Sequence, residues 1–129
     1  AREISSQGQC ATYFLDEPMH STPPVEGASA AIATVEYLGK LPGIRVIATT
    51  HFFQLTELEK EDPSLFQNIS MEAIPSPAAG FIFPYRIRRG HSLQCIALEL
   101  LREHRIPPEL ISRAIKWKNK ICAVHVNDP

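Results

Sequence analysis

From Ala11 the chain reads ATYFLDE, a short run of apolar and β-favouring residues closed by two acids. Such a run predicts a buried strand whose C-terminal end carries polar chemistry. Pro18, Pro23 and Pro24 follow and predict irregular backbone. Past Gly27, the apolar residues Ala28, Ala31, Ile32, Val35 and Leu38 fall at helical spacing, and Gly39 with Pro42 supplies the stop. A second β-branched run, RVIATT over residues 45–50, leads through His51 into another helix expected over about residues 53–61, which Asp62 and Pro63 end.

Strands alternating with helices imply an α/β fold with a parallel sheet. In such sheets functional groups gather beyond the carboxyl ends of the strands. Asp16, Glu17 and His51 all occupy such positions, the first sign that they share a site. After Pro63 the texture changes. Residues 66–74 and 81–87 read as two strands around the turn-forming PSPAAG, which predicts a hairpin at the sheet edge. The last third reads as two amphipathic helices joined by RIPP. One carries Leu93, Ile96, Ala97, Leu100 and Leu101; the other carries Leu110, Ile111, Ala114, Ile115 and Ile121 behind Pro107 and Pro108.

Composition narrows the classes. At 129 residues, 44% apolar and 21% charged, the chain is long enough for one core. It contains no apolar run of the roughly 20 residues that cross a bilayer, and AREISSQGQC has no signal-peptide pattern, so an intracellular protein is expected, compartment open. Cys10, Cys95 and Cys122 are odd in number and widely spaced, which predicts buried, reduced thiols; the five histidines are likewise dispersed, against a metal held by side chains alone. The net charge of −1 hides an asymmetry. Residues 1–64 hold four basic and nine acidic side chains, residues 65–129 nine basic and five acidic. Arg86, Arg88 and Arg89, with Arg113, Lys116, Lys118 and Lys120, are read as a solvated face in preference to a DNA-binding patch.

Four apolar or aromatic residues ending in Asp-Glu at a strand terminus form the Walker B pattern. In that reading Asp16 orients water on Mg²⁺, and Glu17 positions or deprotonates the water that attacks a γ-phosphate, because phosphoryl transfer needs positioning and charge compensation above all. Two solvated carboxylates are the alternative reading of the pair by itself.

The stretch DEPMHSTPPVEGASAAIATVEYLG, followed by RVIATTHFFQLTEL, resembles the MutS family: an acid pair, a loop with Thr and an acid-Gly step, an alanine-rich helix, then a strand ending in Thr-His-aromatic. FQNISMEA, FIFPYRIRRGHS and IPPELISRA resemble later family segments in the same order. The resemblance implies the C-terminal half of an ABC-type P-loop NTPase domain over residues 1–90, with a mostly parallel sheet and an edge hairpin, and a C-terminal helical dimerisation element over residues 91–129. It implies ATP and Mg²⁺ as ligands, with Asp16 as the magnesium-associated aspartate, Glu17 as the catalytic glutamate and His51 as the switch-loop histidine that senses the γ-phosphate. For His51 a capping role at the strand-to-helix turn stands beside this. Ser21 and Thr22 correspond to the D-loop that reaches toward a partner's nucleotide.

That loop departs from the family. Gly-Arg-Gly-Thr-Ser-Thr is replaced by Met19 to Pro24, losing two glycines and gaining two prolines, and the later aspartate by Glu26, which implies a diverged branch. No GxxxxGK[ST] is present, so this piece alone is not expected to hold Mg·ATP, and a longer protein is expected. The implied partners are a second copy or a related MutS-like subunit, and mismatched double-stranded DNA gripped by other domains; no membrane is implied. Two other readings stay open: a MutS-related ATPase acting on recombination intermediates, and a non-catalytic dimerisation module in which the acids are vestigial. Trp117 reads equally as an interface anchor or a core residue.

Overall fold

The computed structural model describes residues 1–76, 80–92, 96–104 and 106–126, in two compact units. The first comprises residues 1–69 with 89–91, the second residues 70–88 with 92–129.

In the first unit α1 (Arg2–Ser6) precedes β1 (Ala11–Asp16), α2 (Pro24–Gly39) and β2 (Ile44–Thr49). The two strands pair in parallel, from Ala11 opposite Ile44 to Asp16 opposite Thr49. Parallel neighbours need a long crossover, and α2 is that crossover. The helix starts at Pro24, earlier than the prolines suggested, because a proline at the first helical position lacks only an N–H that the helix does not use. Its face of Ala28, Ala31 and Val35 turns inward. Ala31 and Val35 pack with Leu55 and Leu58 from a 3-10 turn (Phe53–Thr56) and α3 (Glu57–Glu61), and Leu15, Ile32, Ala48, Phe52 and Phe66 close around them.

The strand expected to be buried is buried on one face only. Tyr13 and Leu15 are half-buried whereas Thr12, Phe14 and Asp16 are exposed, Phe14 to 75%. Phe14 lies opposite Ile47, also exposed, so the apolar run serves two faces of which one is covered here.

Two close approaches fix the loops. Gly43, at φ +74°, turns the chain into β2 where a Cβ would stand 2.6 Å from the Gln9 carbonyl oxygen. Asn68 ties the segment after α3: its backbone N–H donates to Glu59 at 3.1 Å and its amide to the Thr56 carbonyl at 2.9 Å.

In the second unit the expected hairpin forms in part. There β4 (Ile74–Ser76) pairs antiparallel with β5 (Gly80–Ile82); β3 (Ile69–Met71) pairs with β6 (Ile87–Arg89), a pair whose residues are divided between the two units at Ile69 and Arg89. Among the described residues there are therefore three two-stranded sheets, of which β1–β2 is parallel, and the parallel sheet is small. Pro75 and Pro84 lack the N–H a longer ladder requires, and each strand of this region has three residues. Residues 77–79, inside PSPAAG, lie outside the described residues. The helical pair is present as α4 (Ala97–Glu103) and α5 (Pro108–Val126), which pack together. Leu93, assigned to the first of their apolar stripes, and Cys95 lie outside the described residues, as does the Cys122 side chain. Cys10 is exposed, contrary to the expectation of a buried thiol, because it sits in the turn before β1.

Candidate functional site

The parallel register brings Asp16 and Thr49 side by side at the carboxyl ends of β1 and β2. Thr49 Oγ1 donates to Asp16 Oδ1 at 2.5 Å and accepts from the Glu17 backbone N–H at 3.2 Å, while the same N–H reaches the Thr49 carbonyl at 3.0 Å. One hydroxyl thus orients the first acid and fastens the start of the second. A charged acceptor makes the Thr49–Asp16 bond stronger than a neutral one.

Beyond that point the backbone turns sharply. Glu17 adopts φ +43° and Met19 φ +65°, left-handed conformations that cost an L-residue about 1–2 kcal/mol each. After the turn, Glu17 Oε1 lies 3.5 Å from His51 Nδ1, just past the end of β2. His51 and Glu17 side chains are 60% and 48% exposed, so both are open to a ligand while fixed to one another by position. A pair this exposed contributes little stability, which leaves the arrangement to be explained by what it presents to solvent.

His51 does not cap the helical turn that follows it. Thr50 does the closing, its hydroxyl accepting from the Phe52 N–H at 2.9 Å, which leaves the imidazole beside Glu17, its ring 5.1 Å from that of Phe52. His91, after Gly90, meets Phe53 edge-on at 5.1 Å and adds a second imidazole close to the same loop.

Ser21 and Thr22 lie in the turn between Glu17 and α2, and both are exposed. Thr22 Oγ1 donates to the Met19 carbonyl at 2.7 Å, so its hydroxyl closes the turn instead of joining Asp16 and Glu17. His20 contributes similarly, with Nδ1 3.2 Å from the Glu17 carbonyl. The structure therefore brings Asp16, Glu17 and His51 together and leaves Ser21 and Thr22 on the loop that leads away from them.

Sequence reasoning passed over Thr49, and took Gly27 only as a motif residue at the start of a helix, without its packing role. Thr49 is the residue that strand register sets opposite Asp16, a relation visible once the two runs are aligned by their ends. Gly27 is wedged between the two loops: a Cβ there would stand 2.5 Å from Thr22 Oγ1, 2.9 Å from the Met19 carbonyl oxygen and 3.0 Å from Phe52 Cζ. The acid-Gly step in the sequence marks this close approach of backbone to both loops.

A lone, exposed aspartate anchored by a hydroxyl suits a Mg²⁺ held through water, since that ion keeps several waters and takes one or two carboxylates alongside a phosphate. Among the described residues there is no group of three or more His, Cys, Asp or Glu side chains placed to hold a metal ion. Nor, among the described residues, is any helix long and apolar enough to cross a membrane.

Comparison with known proteins agrees in one direction. The family model described as MutS domain V matches residues 4–122. The DNA mismatch repair protein MutS of Acetivibrio thermocellus is 32% identical over 107 residues, 83% of this chain and 12% of that relative. Its counterpart in Fusobacterium nucleatum is 31% identical over 107 residues, with the same shares. That of Chloroflexus aurantiacus is 32% identical over 103 residues, 78% of this chain and 10% of the relative. The chain thus spans about an eighth or less of the length of these relatives. With most of its length matched and the acid pair, the Thr-His-aromatic turn and the alanine-rich helix in family order, the chain belongs to the MutS family and carries its domain V.

Proposed function

We propose that this chain supplies the acid and histidine side of an ATP-hydrolysing site in a MutS-like DNA mismatch repair protein, within an ABC-type P-loop ATPase fold whose phosphate loop lies elsewhere in the protein. The observation that carries the reading is the convergence of Asp16, Glu17 and His51 at neighbouring strand ends, linked through Thr49.

In this reading Glu17 accepts a hydrogen bond from, or removes a proton from, the attacking water, and its exposed carboxylate sits where solvent enters. His51 stands 3.5 Å away, close enough to steady that carboxylate and to donate to a γ-phosphate oxygen. Asp16, held by Thr49, orients water around Mg²⁺, which would contribute charge neutralisation of the phosphates. Ser21 and Thr22 lie on the exposed turn that reaches toward a partner's nucleotide, giving a composite site in a dimer. Residues 91–129 pair the chain with a second copy or a related subunit, mismatched DNA is held by other domains, and the protein works inside the cell.

The test is Glu17→Gln in the full-length protein. The amide keeps the side chain's shape but abolishes its basicity. The expected result is ATP binding retained with turnover lowered by about 10²–10⁴-fold, the usual range for losing a positioned acid–base group. Unchanged turnover would remove Glu17 from the chemistry.

A further inference from the structure

We propose that Thr49 is a positioning residue that sets the Mg²⁺ requirement of the site, by holding the Asp16 carboxylate in the orientation that meets a metal-bound water. This rests on the reading of Asp16 as the magnesium-associated acid and adds what fixes its strength. Thr49 stands one residue before the Thr-His-aromatic motif, and its side chain belongs to no motif that the sequence displays.

Register makes the pair. Asp16 and Thr49 are partners at the last position of two parallel strands, so their side chains stand on one face of the sheet, the face that bears the exposed Phe14 and Ile47. A hydroxyl has a single proton to donate. That of Thr49 goes to Asp16 Oδ1 at 2.5 Å, and its oxygen accepts from the Glu17 N–H at 3.2 Å, so the chain from amide to hydroxyl to carboxylate runs in one direction and each bond strengthens the other. Fixing Oδ1 fixes the rotation of the carboxylate, and with it the direction of Oδ2. Thr50 cannot substitute, because its hydroxyl accepts from the Phe52 N–H at 2.9 Å.

Stability does not account for the bond. Asp16 and Thr49 are both exposed, at a strand end where water can replace either partner, and an exposed polar pair contributes little. Glu17 does not depend on the hydroxyl either: its N–H also reaches the Thr49 carbonyl at 3.0 Å, which any residue at that position would supply. What the Thr49 side chain alone supplies is the donor to Asp16. Because Mg²⁺ keeps several waters and takes only one or two carboxylates, a site with one aspartate depends on how well that aspartate is aimed. Hydrogen-bond partners standing behind a metal-associated carboxylate typically carry about 10–100-fold in metal affinity.

The experiment uses the full-length protein with Thr49→Val, which removes the hydroxyl but keeps a β-branched shape suited to a strand, and Thr49→Ser, which keeps the hydroxyl. One readout is the Mg²⁺ dependence of ATP turnover. The other needs no turnover: Mn²⁺ binding to the ATP complex in a Glu17→Gln background, followed by electron paramagnetic resonance. Thr49→Val is expected to raise the Mg²⁺ requirement and to weaken Mn²⁺ binding by about 10–100-fold each, with excess Mg²⁺ restoring turnover to within about threefold. Thr49→Ser should stay within about threefold of the parent in both readouts. An unchanged metal requirement in Thr49→Val overturns the proposal. So does turnover lost equally at every Mg²⁺ concentration, the mark of a merely structural role, or a serine variant as impaired as the valine one. Asp16→Asn, measured alongside, keeps two failures apart. If it leaves Mn²⁺ affinity intact, the magnesium reading of Asp16 falls and this proposal with it; if it weakens Mn²⁺ binding while Thr49→Val does not, only the role of Thr49 falls.

Discussion

The unit formed by residues 1–69 with 89–91 folds Ala28, Ala31, Val35, Ile44, Leu55 and Leu58 out of water, and the residues assigned to chemistry sit at the rim of that core. Among the described residues of the other unit, Ala73 and Ile111 are the buried apolar side chains, while Met71, Ile74, Ile82, Ile87, Trp117 and Ile121 stand substantially exposed. Placing an acid within hydrogen-bond reach of a water requires a support that does not give, and interlocked side chains around α2 provide it. Short strands and a long helix with uncovered apolar side chains are suited instead to finishing their burial against something else. Both units leave large apolar side chains exposed, Phe14 and Val25 in the first among them, so the contrast lies in the buried cluster that closes around α2 in one unit and has no equivalent among the described residues of the other.

Equivalent deletions in the two regions should therefore differ. Leu58→Ala, at a position 5% exposed, is expected to destabilise the chain by about 2–5 kcal/mol, from lost burial plus the cavity left behind. Ile82→Ala, at 50% exposure, should change stability by under about 1 kcal/mol. Urea unfolding of both variants compares them directly, and equal losses would erase the distinction between the units.

Strain gives a finer comparison within the packed unit. Met19 holds φ +65° where the family pattern carries a glycine, so Met19→Gly should relieve the left-handed penalty. Against that stands the greater freedom of an unfolded glycine, which leaves a net gain of about 0.5–1 kcal/mol. The same urea midpoint measures it. A loss of stability would mean that the methionine side chain contributes more than its backbone forfeits.

The smallest effect is a titration. Asp62 ends α3, and its carboxyl is held below the ordinary carboxylate value first by the Ser64 hydroxyl, which donates at 2.6 Å, with the Ser64 and Leu65 backbone and the Lys40 charge adding to this. A depressed folded value means the contribution is complete above the unfolded value of about 3.9 and is lost as pH falls through the folded one. Ser64→Ala should move the Asp62 midpoint upward, read by NMR, and flatten that part of the acid-unfolding curve. An unmoved midpoint would assign the depression to the backbone donors and Lys40.

How much of this was legible in the sequence depended on whether the information was local. The helical spacing of Ala28 to Leu38 gave α2, and the ends of two apolar runs gave the positions of Asp16, Glu17 and His51. Pro24 was legible as a breaker but not as the first residue of a helix, since the same fixed φ serves both roles. ATYFLD could not tell burial on one face from burial on two, because that is set by what packs on the strand. Thr49 was hidden for a related reason: its role exists only once register sets it opposite Asp16. The left-handed Glu17 and Met19 carried no compositional sign, the glycines that would have announced the turn being absent.

The central claim is that Glu17 and His51 act on one bound triphosphate as a unit. Its most direct test is a double-mutant cycle on ATP turnover in the full-length protein with Glu17→Gln, His51→Ala and both together. Groups that act together are strongly non-additive, so the double variant should turn over within about threefold of the slower single variant. Losses that multiply across the two substitutions would show that the carboxylate and the imidazole serve separate ends, and would contradict the account.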